Sequence, residues 1–171
     1  ITDGIDAEVG TLTAPYERFT AWKTIEGEKE QSGVPMLGVL LKGVCHPQRL
    51  LDIIRNYIVF EKTGENVYAK KLAGYHQYWA VNKALASAAK AIQPESDHRI
   101  GVVWHTQGSG KSLSMAFFAG KLALDQRGVF KNPTLLVVTD RNDLDDQLFP
   151  VLQPGTERAA HEGVELLIRA A

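Results

Sequence analysis

Apolar and polar residues in the first third of the chain are spaced in ways that predict both helix and strand. The clearest helix signal lies in residues 47–60, PQRLLDIIRNYIVF, where apolar side chains recur at helical spacing behind a proline in the first turn. The side chains at this spacing are Leu50, Leu51, Ile54 and Ile58. The shorter apolar run MLGVLLKGV at 36–44 predicts a buried strand, and the polar EKTGEN at 61–66 predicts a connector.

The second part of the chain predicts the order helix, strand, helix, strand. The alanine-rich residues 75–92 predict a helix, and RIGVVWH at 99–105 predicts a strand. A second helix is predicted over 111–126 and a second strand, TLLVVTD, over 134–140. Two further helices are predicted, at 143–152 and 162–171. A glycine-rich loop follows the first of these strands, so the order is typical of a parallel sheet flanked by helices, an α/β fold.

Composition and charge limit the function without identifying it. The chain is 44% apolar and 23% charged with a net charge of −1, so any nucleic-acid surface must be local. The single cysteine excludes an internal disulfide, and the five histidines show no metal-ligand spacing. No apolar run reaches the roughly 20 residues that cross a bilayer. These features predict a cytoplasmic protein that does not contact a membrane.

The strongest candidate for chemistry is HTQGSGKS at 105–112, between a predicted strand and a predicted helix. In a phosphate-binding loop, consecutive backbone N–H groups and the helix N-terminus point at the same anion. Gly108 and Gly110 permit torsions, and a close approach of phosphate, that a Cβ would obstruct. Lys111 supplies a positive charge for the β- and γ-phosphates, and the Ser112 hydroxyl can ligate Mg²⁺. The pattern therefore predicts a nucleotide site.

One residue departs from the usual loop pattern. His105 stands where the sequence G-x-x-x-x-G-K-S/T begins with glycine. That position lies at the strand end, outside the phosphate cradle, so the departure is compatible with a more open loop. The alternative is an ordinary glycine turn with Lys111 in solvent.

The second predicted strand ends in a carboxylate, which raises the question of a Walker B element. LLVVTD, which ends at Asp140, is similar to a Walker B strand that ends in a carboxylate. The sequence contains no Asp-Glu dipeptide, however, so it lacks the carboxylate pair expected of such an element. We favour a different interpretation, in which TDRNDLDDQ at 139–147 is a strand end and helix start that face another ligand. The alternative is a capped turn with Asp143 as the N-cap residue.

Several segments carry a family resemblance. VVWHTQGSGKSLSM and LLVVTDRNDLDDQLF resemble the ATP-binding loop and motif Ia of the motor (R) subunit of type I restriction–modification enzymes, members of helicase superfamily 2. In that family a histidine before the loop is normal. KLAGYHQYWAVNKAL resembles the family's Q-motif, with Gln77 in place of the glutamine that recognises adenine. A carboxamide can accept and donate hydrogen bonds at once, although from the residues alone Gln77 would be a polar helix residue.

The resemblance extends upstream and implies a domain organisation. DGIDAEVGTLTAPYERFTAW resembles the end of the family's nuclease domain, and PQRLLDIIRNYIVFEK resembles its helical bridge to the motor. Residues 1–62 are therefore expected to be the C-terminal part of a restriction-endonuclease-like domain followed by the bridge. Residues 63–171 are expected to be the N-terminal part of the first RecA-like P-loop NTPase lobe.

The resemblance also implies cofactors and the residues that meet them. ATP and Mg²⁺ are the expected cofactors, with Lys111 and Ser112 as catalytic residues and Ser112 on the Mg²⁺ of MgATP. The expected nucleotide-binding residues are Gln77, Thr106, Gln107, Gly108, Ser109, Gly110, Lys111 and Ser112. Thr139 and Arg141 in motif Ia are expected to approach the DNA backbone without reading sequence. Arg141 as a solvated charge or a partner of Asp143 is the alternative.

Subunits of this family are ATP-dependent double-stranded DNA translocases and endonucleases. They work with a DNA-methylating modification subunit and a specificity subunit, which are the expected partners together with double-stranded DNA. The family's nuclease centre is a PD-(D/E)xK site, in which carboxylates hold Mg²⁺ and a lysine assists the attacking water. No lysine in this sequence has Asp or Glu two positions earlier, so the nuclease centre is expected to lie outside the chain.

Other family parts are also missing from the sequence, which lacks the DEAx box, the second RecA-like lobe and its arginine finger, and starts at Ile1. The expectation is an internal fragment that binds ATP weakly at best and does not hydrolyse it. Three alternatives stay open. The chain could belong to a type III restriction subunit or another superfamily 2 DNA motor, to a regulatory or kinase-like P-loop domain without DNA activity, or to a structural scaffold.

Overall fold

The computed structural model describes residues 1–64, 67–125, 128–130, 133, 135–139 and 166–170. The chain forms two compact units, Ile1–Trp79 and Ala80–Ala171. The sequence predicted a boundary at residue 62 between a nuclease-side and a motor-side domain. That boundary was drawn by function and not by compactness, so it stays a prediction. No helix in the described ranges has the length and apolar character needed to cross a bilayer.

The first unit combines short helices with antiparallel strand pairs. Its elements are β1 (Glu8–Val9), a 3-10 turn (Tyr16–Arg18), β2 (Thr20–Ala21), α1 (Met36–Gly43), α2 (Pro47–Asn56), β3 (Ile58–Gly64), β4 (Val67–Leu72) and the start of α3 (Tyr75–Ala91). Strand β1 pairs with β2, and β3 pairs with β4, both antiparallel. The mixed α/β character predicted from the sequence is confirmed.

The run MLGVLLKGV forms helix α1, so the prediction of a strand is wrong. Its buried residues, Val39 and Gly43, lie four positions apart and therefore share one helical face. Pro35 precedes the helix and supplies its N-cap backbone. A short, nearly uninterrupted apolar run carries too little periodicity to separate a buried strand from a buried helix.

The helix predicted over 47–60 ends earlier, because α2 stops at Asn56 and β3 begins at Ile58. β-Branched residues favour strands, and the antiparallel partner β4 satisfies their backbone groups, with Ile58 opposite Leu72. Residues 61–64 belong to β3, so the prediction of a connector over 61–66 is wrong for these four; residues 65 and 66 lie outside the described part of the chain.

The core of the first unit is built around aromatic rings. Trp22 and Tyr57 are fully buried, and the ring of Tyr78 lies 5.7 Å from that of Trp22 and 4.8 Å from that of Tyr57, measured between centroids. Such tilted ring pairs stabilise a core beyond the area that they bury. Tyr78 stands in the first turn of α3, so these rings fix the start of that helix.

Arg49 ties three segments of the first unit together. Its guanidinium donates hydrogen bonds to the carbonyl oxygens of Lys42 and Gly43 at the end of α1. It lies 4.9 Å from the centre of the Trp79 ring, and one nitrogen is 3.5 Å from a carboxylate oxygen of Glu26. The planar guanidinium can satisfy all of these partners because it carries five donors and an aromatic-stacking face.

The second unit contains the rest of α3, helix α4 (Lys111–Leu124), and the strands β5 (Leu135–Thr139) and β6 (Leu166–Ala170). The helices predicted over 75–92 and 111–126 and the strand predicted over 134–140 are confirmed. Strands β5 and β6 pair in parallel, with Leu135 opposite Leu166. The prediction of a helix over 162–171 is wrong for its described residues, which form β6. The predicted helix at 143–152 lies outside the described residues.

The predicted strand at 99–105 is also wrong, since these residues belong to no strand of the structure. A strand is defined by hydrogen bonds to a neighbour, and residues 99–105 pair with none of the described strands. The consequence is an exposed apolar run, in which Val102 is 90% and Trp104 is 88% accessible.

Candidate functional site

The predicted loop at 105–112 leads directly into helix α4, which begins at Lys111. Gly110 is the N-cap residue with a left-handed φ of 77°, and its carbonyl accepts the first helical hydrogen bond, from the N–H of Ser114 at 3.1 Å. Gly108 has a φ of 79°. A side chain at either position would strain the backbone, because left-handed torsions favour glycine. The turn therefore explains why two glycines flank Ser109.

Hydrogen bonds close the loop on itself. Ser109 donates to the carbonyl oxygen of Thr106 from its backbone N–H at 3.3 Å and from its hydroxyl at 2.8 Å. The ammonium of Lys111 donates to the carbonyl oxygens of His105 at 3.1 Å and Thr106 at 2.9 Å. The lysine thus folds back over the loop, and its charge lies beside neutral, solvent-accessible acceptors. Such contacts can be exchanged for contacts with an anion at little cost.

The space above the loop is open. A Cβ built on Gly108 would meet no atom within 4 Å outside its immediate neighbours, so packing alone does not require glycine there. The left-handed torsion and the open space together leave the backbone accessible to a ligand, which is what a close approach of phosphate needs. The first turn of α4 contains no acidic residue that would oppose an anion.

The structure brings seven of the predicted nucleotide-binding residues into this one loop and the helix start. Thr106, Gln107, Gly108 and Lys111 are exposed, whereas Ser109, Gly110 and Ser112 are half-buried. This gradient places the lysine at the surface and the serine that follows it deeper, at the first turn of α4. The arrangement suits an anion that enters from solvent and ends against the helix N-terminus.

A cavity of about 250 Å³ lies beside the loop. Helices α3 and α4 line it with mostly apolar side chains, namely Ala80, Val81, Ala84, Ser114, Met115 and Phe118. Lys111 and His105 also reach its wall. These helix residues were not predicted from the sequence. Their spacing after the loop, at positions 111, 114, 115 and 118, is the signal that could have indicated a shared face.

Gln77 belongs to the first unit and caps helix α3. Its side-chain oxygen accepts a hydrogen bond from the backbone N–H of Gly74 at 2.9 Å, and the residue is buried. Gly74 is the residue before the helix, and Gln77 is the third helical residue, which is the position that reaches back in a capping box. Gln77 therefore has a structural role that is independent of any ligand.

Tyr75, the first residue of α3, is also held in place by a side chain. Its hydroxyl donates a short hydrogen bond to a carboxylate oxygen of Glu30. Burial first, and then this hydrogen bond and the nearby negative charge, raise the pKa of Tyr75 to about 12. The start of the helix that carries Gln77 is thereby anchored from two sides.

The two residues predicted to approach DNA fall at the edge of what the structure describes. Thr139 is the last residue of β5, where it pairs with Ala170 of β6. Arg141 lies outside the described residues, and so does Asp143, the partner in its alternative interpretation. Asp140, which ends the stretch that resembles a Walker B element, also lies outside them.

The loop and the α/β second unit both lie within a stretch of the chain that matches a known protein family. Residues 76–167 match the SWI2/SNF2 ATPase family, a match that covers more than half of the chain and includes the whole loop. The chain belongs to this family of ATPases. The match begins at His76, so it also includes Gln77 and most of α3.

Comparison with individual proteins narrows the similarity from this broad ATPase family to one kind of enzyme subunit. The chain is 47% identical over 160 residues to the type I restriction enzyme HindI endonuclease subunit of Haemophilus influenzae, with 92% of this chain and 15% of that subunit covered. It is 30% identical over 171 residues to a Methanocaldococcus jannaschii protein named as the MjaIXP endonuclease subunit of a type I restriction enzyme, with 88% and 16% covered. The resemblance to type I restriction subunits seen in the sequence is confirmed. The chain spans about 15% of the length of these curated relatives.

Proposed function

We propose that the chain is the ATP-binding part of the motor subunit of a type I restriction enzyme, an ATP-dependent double-stranded DNA translocase and endonuclease. The observation that carries the proposal is the loop itself, in which two left-handed glycines flank Ser109 and the Lys111 ammonium folds over the carbonyls of His105 and Thr106. The similarity to two restriction endonuclease subunits supports the DNA-directed function.

The residues of the loop fit MgATP. Lys111 would exchange its carbonyl partners for phosphate oxygens, and the backbone N–H groups from Thr106 to Ser112 would surround the polyphosphate. The Ser112 hydroxyl would ligate Mg²⁺ carried by the nucleotide. MgATP, when bound, supplies the phosphoanhydride bond whose hydrolysis drives movement. The family resemblance assigns recognition of adenine to Gln77, whose carboxamide can both accept and donate hydrogen bonds.

The fold that we infer for the motor part is a RecA-like P-loop lobe, a parallel sheet flanked by helices. The parallel pairing of β5 with β6 and the helix α4 that follows the loop support this fold. We infer that residues 1–62 are the end of the nuclease domain with its helical bridge, and that residues 63–171 are the N-terminal part of this lobe.

Motif Ia supplies the proposed contact with DNA. Thr139 at the end of β5 and Arg141 would approach the phosphate backbone, which suits a motor that moves along any sequence. The modification and specificity subunits would be the protein partners. Recognition of a target sequence would then belong to another subunit, and the nuclease centre to a part of the protein outside this chain.

Nucleotide binding by the protein at its full natural length tests the proposal. Calorimetric titration with MgATP is expected to show saturable binding. Lys111→Ala should reduce the affinity for MgATP at least tenfold, because a charge that contacts phosphate is removed. Lys90→Ala, at an exposed lysine in the last turn of α3, is the matched control and should bind as wild type does. Equal affinity of Lys111→Ala and wild type would overturn the proposal.

DNA dependence separates the motor from a P-loop domain without DNA activity. A translocase hydrolyses ATP faster when double-stranded DNA is added, and the stimulation falls as salt rises because phosphate contacts release counterions. ATP binding without any stimulation by DNA would favour the regulatory or kinase-like alternative. Absence of ATP binding in both the wild-type protein and Lys111→Ala would favour the structural scaffold.

A further inference from the structure

Helices α3 and α4 meet across an incompletely filled interface. The cavity of about 250 Å³ separates small and apolar side chains, among them Ala80 and Ala84 of α3 and Met115 of α4. Apolar contacts are non-directional, and small side chains offer few protrusions that interlock. Around the cavity, apolar packing therefore constrains the position of α4 along α3 less than a filled interface would.

A hydrogen bond between the two helices depends on direction, as apolar contacts do not. The ammonium of Lys121 on α4 donates a hydrogen bond to the side-chain oxygen of Asn82 on α3, with a nitrogen–oxygen distance of 3.0 Å. The pair is partly buried, and its donor carries a full charge. Charge-assisted hydrogen bonds are shorter and stronger than neutral ones, and they weaken steeply when their geometry is lost. This bond therefore favours one position of α4 along α3 over neighbouring ones.

The position of α4 matters because the loop is continuous with it. Lys111 is the first residue of α4, and Lys121 lies about 15 Å further along the same helix. A helix transmits a displacement along its axis to both ends. Sliding at Lys121 would move the N-cap Gly110 and the N–H groups of the first turn with it, away from the geometry that surrounds a phosphate.

We propose that Asn82 and Lys121 are positioning residues that set the register of α4 on α3 and so hold the phosphate-binding loop in its binding geometry. The inference rests on the proposed function, because it concerns the affinity of the same loop for MgATP. In this role both residues act through the helix that begins with Lys111.

The test is the MgATP affinity of variants of the protein at its full natural length. Asn82→Leu and Lys121→Met each remove one partner and keep much of the side-chain volume, and each is expected to raise the Kd by about three- to tenfold. The double variant should be no weaker than either single one, because both remove the same bond. Asn82→Asp keeps an oxygen acceptor at the same reach and should bind within about twofold of wild type. Lys90→Met is the matched control for loss of a lysine on these helices.

Steady-state hydrolysis distinguishes positioning from stability. Weaker positioning raises the KM for ATP and leaves kcat nearly unchanged, whereas loss of folded protein lowers kcat and leaves KM unchanged. If both truncations prevent folding, Asn82→Ser decides the matter, since its hydroxyl is too short to reach the ammonium. A Kd within twofold of wild type for the folded variants, or additive losses in the double variant, would overturn the inference. Lys111→Ala separately tests the nucleotide site itself, so the two failures are distinguishable.

Discussion

The ammonium of Lys111 lies 2.9 Å from the carbonyl oxygen of Thr106, so the lysine of the loop bonds to the loop's own backbone. The second bond, to His105, holds the side chain on the same side. These contacts keep a flexible side chain from extending into solvent. They also leave the charge beside the space that a polyphosphate would fill, which reduces the conformational entropy lost on binding.

The torsion of Gly108 predicts a selective effect on nucleotide binding. Gly108→Ala places a Cβ in a left-handed conformation and in the open space over the loop. It is expected to reduce the free energy of unfolding by about 1 kcal/mol and to weaken MgATP binding at least tenfold. Gly33→Ala is the matched control, since Gly33 also has a left-handed torsion and open surroundings but lies in the first unit. Equal effects of both changes on MgATP binding would contradict the role of Gly108.

Substitution of Gln77 tests its proposed role in adenine recognition. Gln77→Glu retains an oxygen that accepts the Gly74 N–H, because glutamate serves this position of a capping box as well as glutamine. Because Gln77 is buried, the new carboxylate should lower the stability of the protein, and it should weaken MgATP binding, since a carboxylate cannot donate to adenine. Gln77→Leu should weaken MgATP binding further and cost about 1 kcal/mol of stability, as measured by chemical denaturation. Unchanged MgATP affinity in both folded variants would exclude Gln77 from base recognition.

Stability should fall at high pH through Tyr75. Its pKa is raised to about 12 in the folded protein, above the usual value near 10. The contribution of the protonated hydroxyl is thus fully present below pH 10 and is lost as the pH rises from 10 through 12. Tyr75→Phe should flatten the fall in unfolding free energy over this window. Tyr16→Phe, at an exposed tyrosine, controls for the loss of one tyrosine hydroxyl; an unchanged slope in Tyr75→Phe would contradict the assignment.

Two glycines of α1 should respond in opposite directions to the same substitution. A Cβ on Gly43 would lie 2.5 Å from the buried Trp22 ring, so Gly43→Ala is expected to lower the unfolding free energy by about 1–3 kcal/mol. A Cβ on Gly38 would meet nothing within 4 Å, so Gly38→Ala should raise it by about 0.5–1 kcal/mol through helix propensity. Thermal unfolding of both variants checks the pair, and a destabilised Gly38→Ala would show that residue 38 does not lie on an exposed helical turn.

The sequence predicted the helices around the loop because their signals are local. Residues 75–92 and 111–126 are long and rich in helix-forming residues, and the glycines before Lys111 mark the helix start. The loop was predicted for the same reason, since its function depends on consecutive residues. Gln77 was assigned a ligand through family resemblance, whereas its bond to Gly74 follows from a capping pattern readable in the sequence itself.

The short apolar runs were assigned incorrectly because their structure depends on distant partners. The residues of α1 could form either element until packing against Trp22 decides. Leu166–Ala170 forms a strand because β5 pairs with it, and residues 99–105 belong to no strand because they pair with none of the described ones. The Asn82–Lys121 bond joins residues 39 positions apart, so no local pattern indicates it.

The exposure of Trp104 gives the protein an optical reporter close to its candidate site. The sequence contains three tryptophans, and Trp22 is 1% accessible whereas Trp104 is 88% accessible. A water-soluble quencher such as iodide should therefore extinguish the long-wavelength part of the intrinsic fluorescence, which arises two residues before Thr106. Any event that covers this segment, such as the binding of a partner, becomes visible as protection of that emission.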